Sequence, residues 1–421
     1  VITLASPSRL VYISLKFIKD NEDPMRLFLL TYWLGLSAAA FSAPEATKLH
    51  QSAPVVDGHN DLPWAIRQHE KDLADFDFTQ QQADFHTDLK RLKAGGVGLQ
   101  LWSAYVPAST TEKGTALKTT LEQIDLIHRM IETYPQHLAL TGSVQAARDA
   151  IQDGLIASMI GVEGGYSIEG SLANLRTFYR LGVRYMTLTH SQTIFWADSA
   201  TDVAKHQGLT DFGQKVVAEM NRLGMLVDIS HVSVQTMKDA LAASQAPVIA
   251  SHSSAFAKTN HVRNIPDDVL RLIAKNDGVV MVNFYSGYIN HHAAKQMKQF
   301  ESMRYKLRLK HPNDNDYRQA MKAYRKDNPM TRGTIKDVAD HIDHIVKVAG
   351  IDHVGLGSDF DGVGTLPEGL DDASKYPNLT QELIQRGYTS QQLEKILGGN
   401  FYRALATAEK VATRLQKTMS H

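Results

Sequence analysis

The sequence predicts a single α/β domain, a (β/α)8 barrel of the TIM type, and three observations carry that expectation. Short apolar, β-rich runs occur eight times and alternate with longer segments of helical period, the pattern of parallel strands joined by helical crossovers. The runs are almost continuously apolar, as strands buried on both faces are. Polar residues follow most of the runs rather than gathering at one point, which suits a barrel mouth better than the single switch point of a doubly wound open sheet, the rival architecture. With 421 residues the chain is long enough for one large barrel. No repeat, low-complexity tract or Pro- or Gly/Ser-rich linker divides it.

In chain order, residues 1–42 are set apart as an N-terminal extension and signal peptide. Met25-Arg26 precedes the apolar stretch Leu27–Leu36 and the small residues Ser37–Ala40 and Ser42-Ala43, a charged start, a short apolar core and an Ala-rich cleavage region. The apolar stretch is about half of what a membrane-spanning helix needs. Cleavage is expected after Ala40 or Ser42, with residues 1–24 upstream of the true start; a buried N-terminal helix is the alternative. An exported, periplasmic or secreted protein without cysteine suits a compartment where disulfides are permitted but not required.

The barrel domain is expected over residues 53–408, followed by a tail, 409–421. Its runs are Val55–Asp57, Gly98–Trp102, Ala157–Gly161, Val183–Thr189, Met225–Asp228, Val248–Ser251, Val279–Asn283 and Val354–Ser358. Helices are expected at Thr111–Thr133, Ser171–Leu181, Asp211–Leu223, Ser233–Ser244, Pro266–Lys275 and Ile335–Ala349. Pro266 and Asp267 suit a first turn, and Gly224 and Gly350 suit stops. The connection at 290–332 is long, with eleven Lys or Arg against four acids. Leaving a strand C-terminus, it would form a lid over the catalytic face or, more plainly, a solvated helical pair.

Hydrophobic residues make up 43% and charged residues 21% of the chain, and the formal net charge is zero. These values are ordinary for a globular protein, and nothing global points to nucleic acid or an anionic membrane. There is no cysteine, so thiolate metal sites and a cysteine nucleophile are excluded and any metal is held by nitrogen and oxygen. No Gly-x-Ser-x-Gly elbow and no His-Glu-x-x-His helix occurs, which leaves serine hydrolase and thermolysin-like readings without support.

The strand tips carry the chemistry. The first run leads into His59 and Asp61, whose i, i+2 spacing on a strand aims both side chains the same way and lets them share one divalent ion. Glu163 follows the third run as the sole acid among small residues; it needs a cation, or else backbone N–H donors at a helix start. His231 and His252 follow the fifth and sixth runs, 21 residues apart, one strand-helix-strand step, so a barrel sets them side by side. Each taken singly also reads as a structural histidine. Glu163 would bridge the two halves, an arrangement that activates a shared water between ions about 3.5–4 Å apart. Asp359, after the eighth run, could carry the proton, while Asp361 would fix the turn at Gly362. His190 ends the fourth run, and Arg263 could clamp a substrate carboxylate or pair with Asp267 or Asp268. The remaining histidines are expected in solvent.

These residues lie in segments that together resemble the membrane or renal dipeptidase family, zinc peptidases related to amidohydrolase barrels. The segments are VVDGHNDLPW (55–64), GVEGG (161–165), RYMTLTH (184–190), ISHVSVQTM (229–237), PVIASHSS (247–254), RNIPDDVLRL (263–272), VMVNFYSGYI (280–289), VGLGSDFDGV (354–363) and PEGLDDASKYP (367–377). The similarity spans about residues 53–405. It implies a barrel with two zinc ions that hydrolyses dipeptides, often with a D-residue on the C-terminal side. His59 and Asp61 then resemble the ligands of one zinc, His231 and His252 those of the other, and Glu163 the bridge. His190, Arg263, Asp359 and Tyr288 fall where the family contacts substrate. The sequence departs from the mammalian pattern in lacking disulfides and in its polar C-terminus, which does not suit a lipid anchor, and in its basic insertion, so the resemblance does not carry over substrate preference or homodimer contacts. A barrel deacetylase or phosphotriesterase is a rival, although no lysine stands at a strand tip to bridge the ions. A non-catalytic periplasmic binding protein is another.

Overall fold

Eight parallel strands close on themselves in chain order. They are β1 (Val55–Asn60), β2 (Val97–Tyr105), β3 (Ile156–Glu163), β4 (Val183–Thr187), β5 (Leu226–Asp228), β6 (Ile249–Ala250), β7 (Val279–Val282) and β8 (Val354–Leu356). Each pairs with the next, and β8 returns to β1 through Leu356 and Asp57. A short accessory strand, Leu138–Leu140, pairs with the first residues of β3, below the register where β4 joins it. The computed structural model describes residues 5–6, 9–10, 43–69, 73 and 76–418. It divides into two units, residues 1–40 and 41–421. In the first, Ala5–Ser6 pairs antiparallel with Arg9–Leu10; the apolar core and cleavage region of the expected signal peptide lie outside the described residues. None of the described helices is long and apolar enough to cross a membrane.

All eight runs expected from the sequence are strands, and the reason is visible in their burial. One set of alternating side chains, among them Val56, Leu99, Leu101, Met159, Tyr185, Ile249 and Met281, forms one buried cluster. The other set, including Val55, Trp102, Ile160, Met186, Val227, Val280 and Val354, joins the larger cluster with the surrounding helices. Both faces are therefore apolar, and the period-2 signal vanishes from the sequence.

The expected helices form with local punctuation of the expected kind. Ser171, Thr210 and Ser233 each accept a backbone N–H of the first turn, Thr334 and Asp337 make a capping box, and Gly224 stops Asp211–Leu223 at φ +82°. The helix expected over Thr111–Thr133 is broken: Ser109–Glu112 and Ala116–Thr133 flank Gly114 at φ +62°, a conformation that cannot continue a right-handed helix. The boundary expected after residue 408 does not exist. Helix Asn400–Thr418 runs through it, and Ala404, Leu405, Ala408, Val411 and Ala412 are buried at helical spacing, so residues 409–418 belong to the helical layer. The insertion forms helices His291–Lys310 and Asp314–Asp327, capped by Asn290 and Asn313.

Candidate metal centre

The tips of β1 and β3, with the loops after β5 and β6, converge at the carboxyl-end mouth of the barrel. Glu163 ends β3 and is 3% exposed, and its two oxygens face different partners. Oε2 lies 3.5 Å from His59 Nε2, which is 3.2 Å from Asp61 Oδ2. Oε1 lies 3.0 Å from His231 Nε2, 3.4 Å from His252 Nε2 and 3.7 Å from His190 Nε2. Glu163 is thus aimed at imidazoles; among the described residues its only other close donor is Ser103 Oγ, at 3.2 Å, and the alternative of backbone donors at a helix start does not hold. Ligand atoms of His59, Glu163 and His252, of Glu163, His190 and His231, and of His59, Asp61 and Asp359 form three overlapping groups within 4.8 Å.

The electrostatics favour a cation here. Burial pushes His231 and His252 well below the ordinary imidazole range, which keeps both neutral, the state that ligates metal. Burial pushes His59 down too, but Tyr185, Glu163 and Asp61 outweigh it and hold that ring well above its ordinary value. Burial alone would raise Glu163, yet His59, His190, His231 and His252 hold it well below the carboxylate range. The carboxylates therefore draw positive charge to the side of His59, whose buried Nε2 has no hydrogen-bond partner, like Asp61 Oδ1. The nitrogen-oxygen donor set, its unpartnered buried atoms and the neutral His231–His252 pair, with Nε2 atoms 2.8 Å apart, fit a divalent metal.

Supporting groups fix the ligands. Asp228 Oδ2 accepts Ser251 Oγ at 2.7 Å and Thr187 Oγ1 at 2.6 Å. Because the Ser251 hydroxyl donates to Asp228, its oxygen accepts from His252 Nδ1, 2.7 Å away, leaving the Nε2 lone pair for the centre. Asp57 plays the matching part below β8, accepting Ser358 N at 2.8 Å, Ser358 Oγ at 2.7 Å and Gln100 Nε2 at 2.9 Å. Tyr185 Oη is 3.0 Å from His59 Nδ1. Its ring crosses the barrel only because residue 161 is glycine: a Cβ there would stand 1.8 Å from it. His231, Asp359 and Asp361 all adopt positive φ, a strained backbone gathered at one site.

The other expected site residues line the same cavity of about 1070 Å³. Asp359 is buried, and Asn283 Nδ2 donates to its Oδ2 at 2.7 Å. Asp361 accepts His86 N at 2.7 Å and its own N–H donates to His86 Nδ1 at 3.0 Å, so it ties the loop after β8 to His86, while the turn at Gly362 is closed by Gly362 N on Asp359 O. Arg263 is 1% exposed, not a surface ion pair: Asp267 pairs with His344 and Asp268 with Lys238. Its guanidinium donates to Ser253 Oγ and His252 O, each at 3.3 Å, leaves Nε unpartnered and lies 5.3 Å from the Tyr288 ring centre.

Sequence reasoning missed Tyr105, Tyr285 and His261, which also line the cavity. Tyr105 stacks 4.8 Å from His190; it ends β2, three residues beyond the expected run, and a longer strand would have shown it as a tip. His261 lies in a loop with no local signal. It and the deeply buried His50 and His341 correct the expectation that the other histidines are solvated. Each is held by hydrogen bonds that a buried imidazole needs.

Fold and centre together define a metallohydrolase barrel. The chain belongs to the membrane dipeptidase family (peptidase family M19), which it matches over residues 43–419, and is a dipeptidase that uses a metal cofactor. Among solved structures it is similar to the probable dipeptidase PvdM from Pseudomonas aeruginosa, at 23% identity and TM-score 0.76 over 88% of this chain and 99% of that one. It also resembles the dipeptidase AC, a metallo peptidase of family M19, at 26% identity and TM-score 0.69 over 84% and 98%. A metallo peptidase from Rhodobacter sphaeroides, liganded with a phosphinate mimic of L-Ala-D-Ala, is 25% identical with TM-score 0.69 over 84% and 99%.

Proposed function

We propose that the protein hydrolyses dipeptides with two zinc ions, with broad specificity and tolerance of a C-terminal D-residue. The observation that carries this reading is the division of Glu163, one oxygen toward His59 and Asp61 and the other toward His231 and His252. The first pair would hold one ion, the second pair the other, and Glu163 both. When bound, the zinc pair supplies an acidified water as nucleophile and polarises the scissile carbonyl.

The chain's own groups bind, orient and move the proton. Arg263 receives the terminal carboxylate, and Tyr288, its hydroxyl kept protonated by burial at a pKa of about 12, adds a donor. His190, held below its ordinary value chiefly by burial, stays neutral and offers one N–H to the oxygen on which charge develops. Burial pushes Asp359 up to about 7, a value suited to taking the proton of the attacking water and delivering it to the departing amine as the C–N bond breaks. The D-residue tolerance draws support from the L-Ala-D-Ala mimic in the Rhodobacter sphaeroides relative. The charged, apolar and Ala-rich order of residues 25–43 supports export to the periplasm or medium.

Metal analysis of purified protein, coupled to turnover of L,L and L,D dipeptides, tests the proposal. It predicts two zinc ions per chain and hydrolysis of both series. Stoichiometric zinc with no turnover on a broad panel would instead favour a binding protein.

A further inference from the structure

The floor of the cavity is the metal centre, and Arg263, Tyr288 and His261 stand on one wall. The insertion between β7 and β8 closes the space above that wall, contributing Met297, Glu301, Arg304 and Arg325. At about 1070 Å³ the cavity exceeds the usual range of about 300–1000 Å³ for a small-molecule site, so a dipeptide of small residues leaves much of it unfilled. Arg325 stacks over Phe300 at 5.0 Å, which braces its guanidinium at the opening. Neither Arg304 nor Arg325 pairs with a described carboxylate. Other arginines do, such as Arg332 with Asp371 and Arg386 with Asp340 and Asp343. Arg325 and Glu301 are close enough to Tyr285, and Glu301 to Tyr288, to act on those hydroxyls electrostatically. The insertion's charges therefore stand beside the wall that carries Arg263.

If Arg263 anchors the terminal carboxylate, the side chain of the C-terminal residue is the part of the substrate nearest the insertion. From this juxtaposition we infer that Arg304 and Arg325 select dipeptides whose C-terminal residue carries a second anionic group, an aspartyl or glutamyl side chain. The inference rests on the dipeptidase reading above. Glu301, the one acid among the insertion's described residues that lines the cavity, opposes the two arginines and limits the preference. A guanidinium pair in a partly open cleft discriminates modestly, because water and salt screen it.

The test compares kcat/KM for X-Glu with X-Gln, X-Asp with X-Asn, and X-Ala, in L,L and L,D forms, using zinc-loaded protein. The acidic substrate should lead its amide isostere by roughly tenfold at low salt, and the lead should shrink as ionic strength rises. Arg304→Gln with Arg325→Gln should lower kcat/KM for X-Glu about tenfold more than for X-Ala, and Glu301→Gln should widen the lead. Equal rates on acid and amide, or a lead that survives the double substitution, overturn the inference while hydrolysis of X-Ala leaves the dipeptidase reading standing. Failure to cleave any dipeptide removes both.

Discussion

Replacing Arg263 by alanine is the sharpest probe of how substrate sits on this centre. The guanidinium is almost fully buried, its hydrogen bonds to Ser253 Oγ and His252 O are long, these acceptors and the neighbouring Tyr288 hydroxyl are all neutral, and Nε has no partner. A buried cation so weakly compensated is poised for an anion. Two charge-assisted hydrogen bonds are worth about 1.5–3 kcal/mol each; after desolvation of the carboxylate, a net loss of about 3 kcal/mol is expected. That corresponds to roughly a 150-fold fall in kcat/KM, seen mainly in KM because ground and transition states share the contact. The assay measures a free dipeptide beside its C-terminal amide. Arg263→Ala should cost the amide less than about tenfold, and Arg263→Lys should recover part of the loss, since an ammonium cannot make the paired contact. Because Arg263 also braces His252 O, zinc content must be shown unchanged. An equal loss on acid and amide would refute the carboxylate clamp.

Glu163→Gln removes the charge that both histidine sets face. Bound metal should fall below two per chain, and turnover should drop by about three orders of magnitude, as several kcal/mol of transition-state stabilisation is lost; full turnover with two metals would contradict the shared-ligand assignment. Stability should depend on pH through His341. Its Nδ1 accepts Ala255 N at 2.9 Å, its Nε2 faces Ile289 O at 3.1 Å, and burial, helped by Lys258 and opposed by the smaller effects of the Ile289 carbonyl, Asp337 and Asp340, lowers it from 6.5 to about 4. The unfolded chain takes up this proton first as pH falls. Stability present above pH 6.5 is therefore lost progressively down to about pH 4, by up to about 3 kcal/mol. Denaturant midpoints across that window should flatten in His341→Gln, and an unchanged slope would contradict the assignment.

Much of the centre was legible because its signals are local. His59 and Asp61 share a strand tip, and His231 and His252 are one strand-helix-strand step apart, so spacing alone brings each pair together. Arg263 read equally well as a surface partner of Asp267, and only its burial beneath the insertion separates the two. Asp57 and Asp228 sit within the apolar runs and look like strand residues. Their roles appear only when Ser358 and Ser251 arrive beside them, the former from 301 residues away.

By itself the sequence determined the eight strands, their order and which tips carry nitrogen and oxygen donors. Hydrophobic period, helix caps and i, i+2 spacing are properties of neighbouring residues. Closure of the barrel decided the rest: the division of the Glu163 oxygens, the neutral state of His231 and His252, the passage of Tyr185 across the space over Gly161, and the wall that the insertion sets above Arg263. Those depend on dielectric and distance between segments far apart in the chain, and no local pattern encodes either.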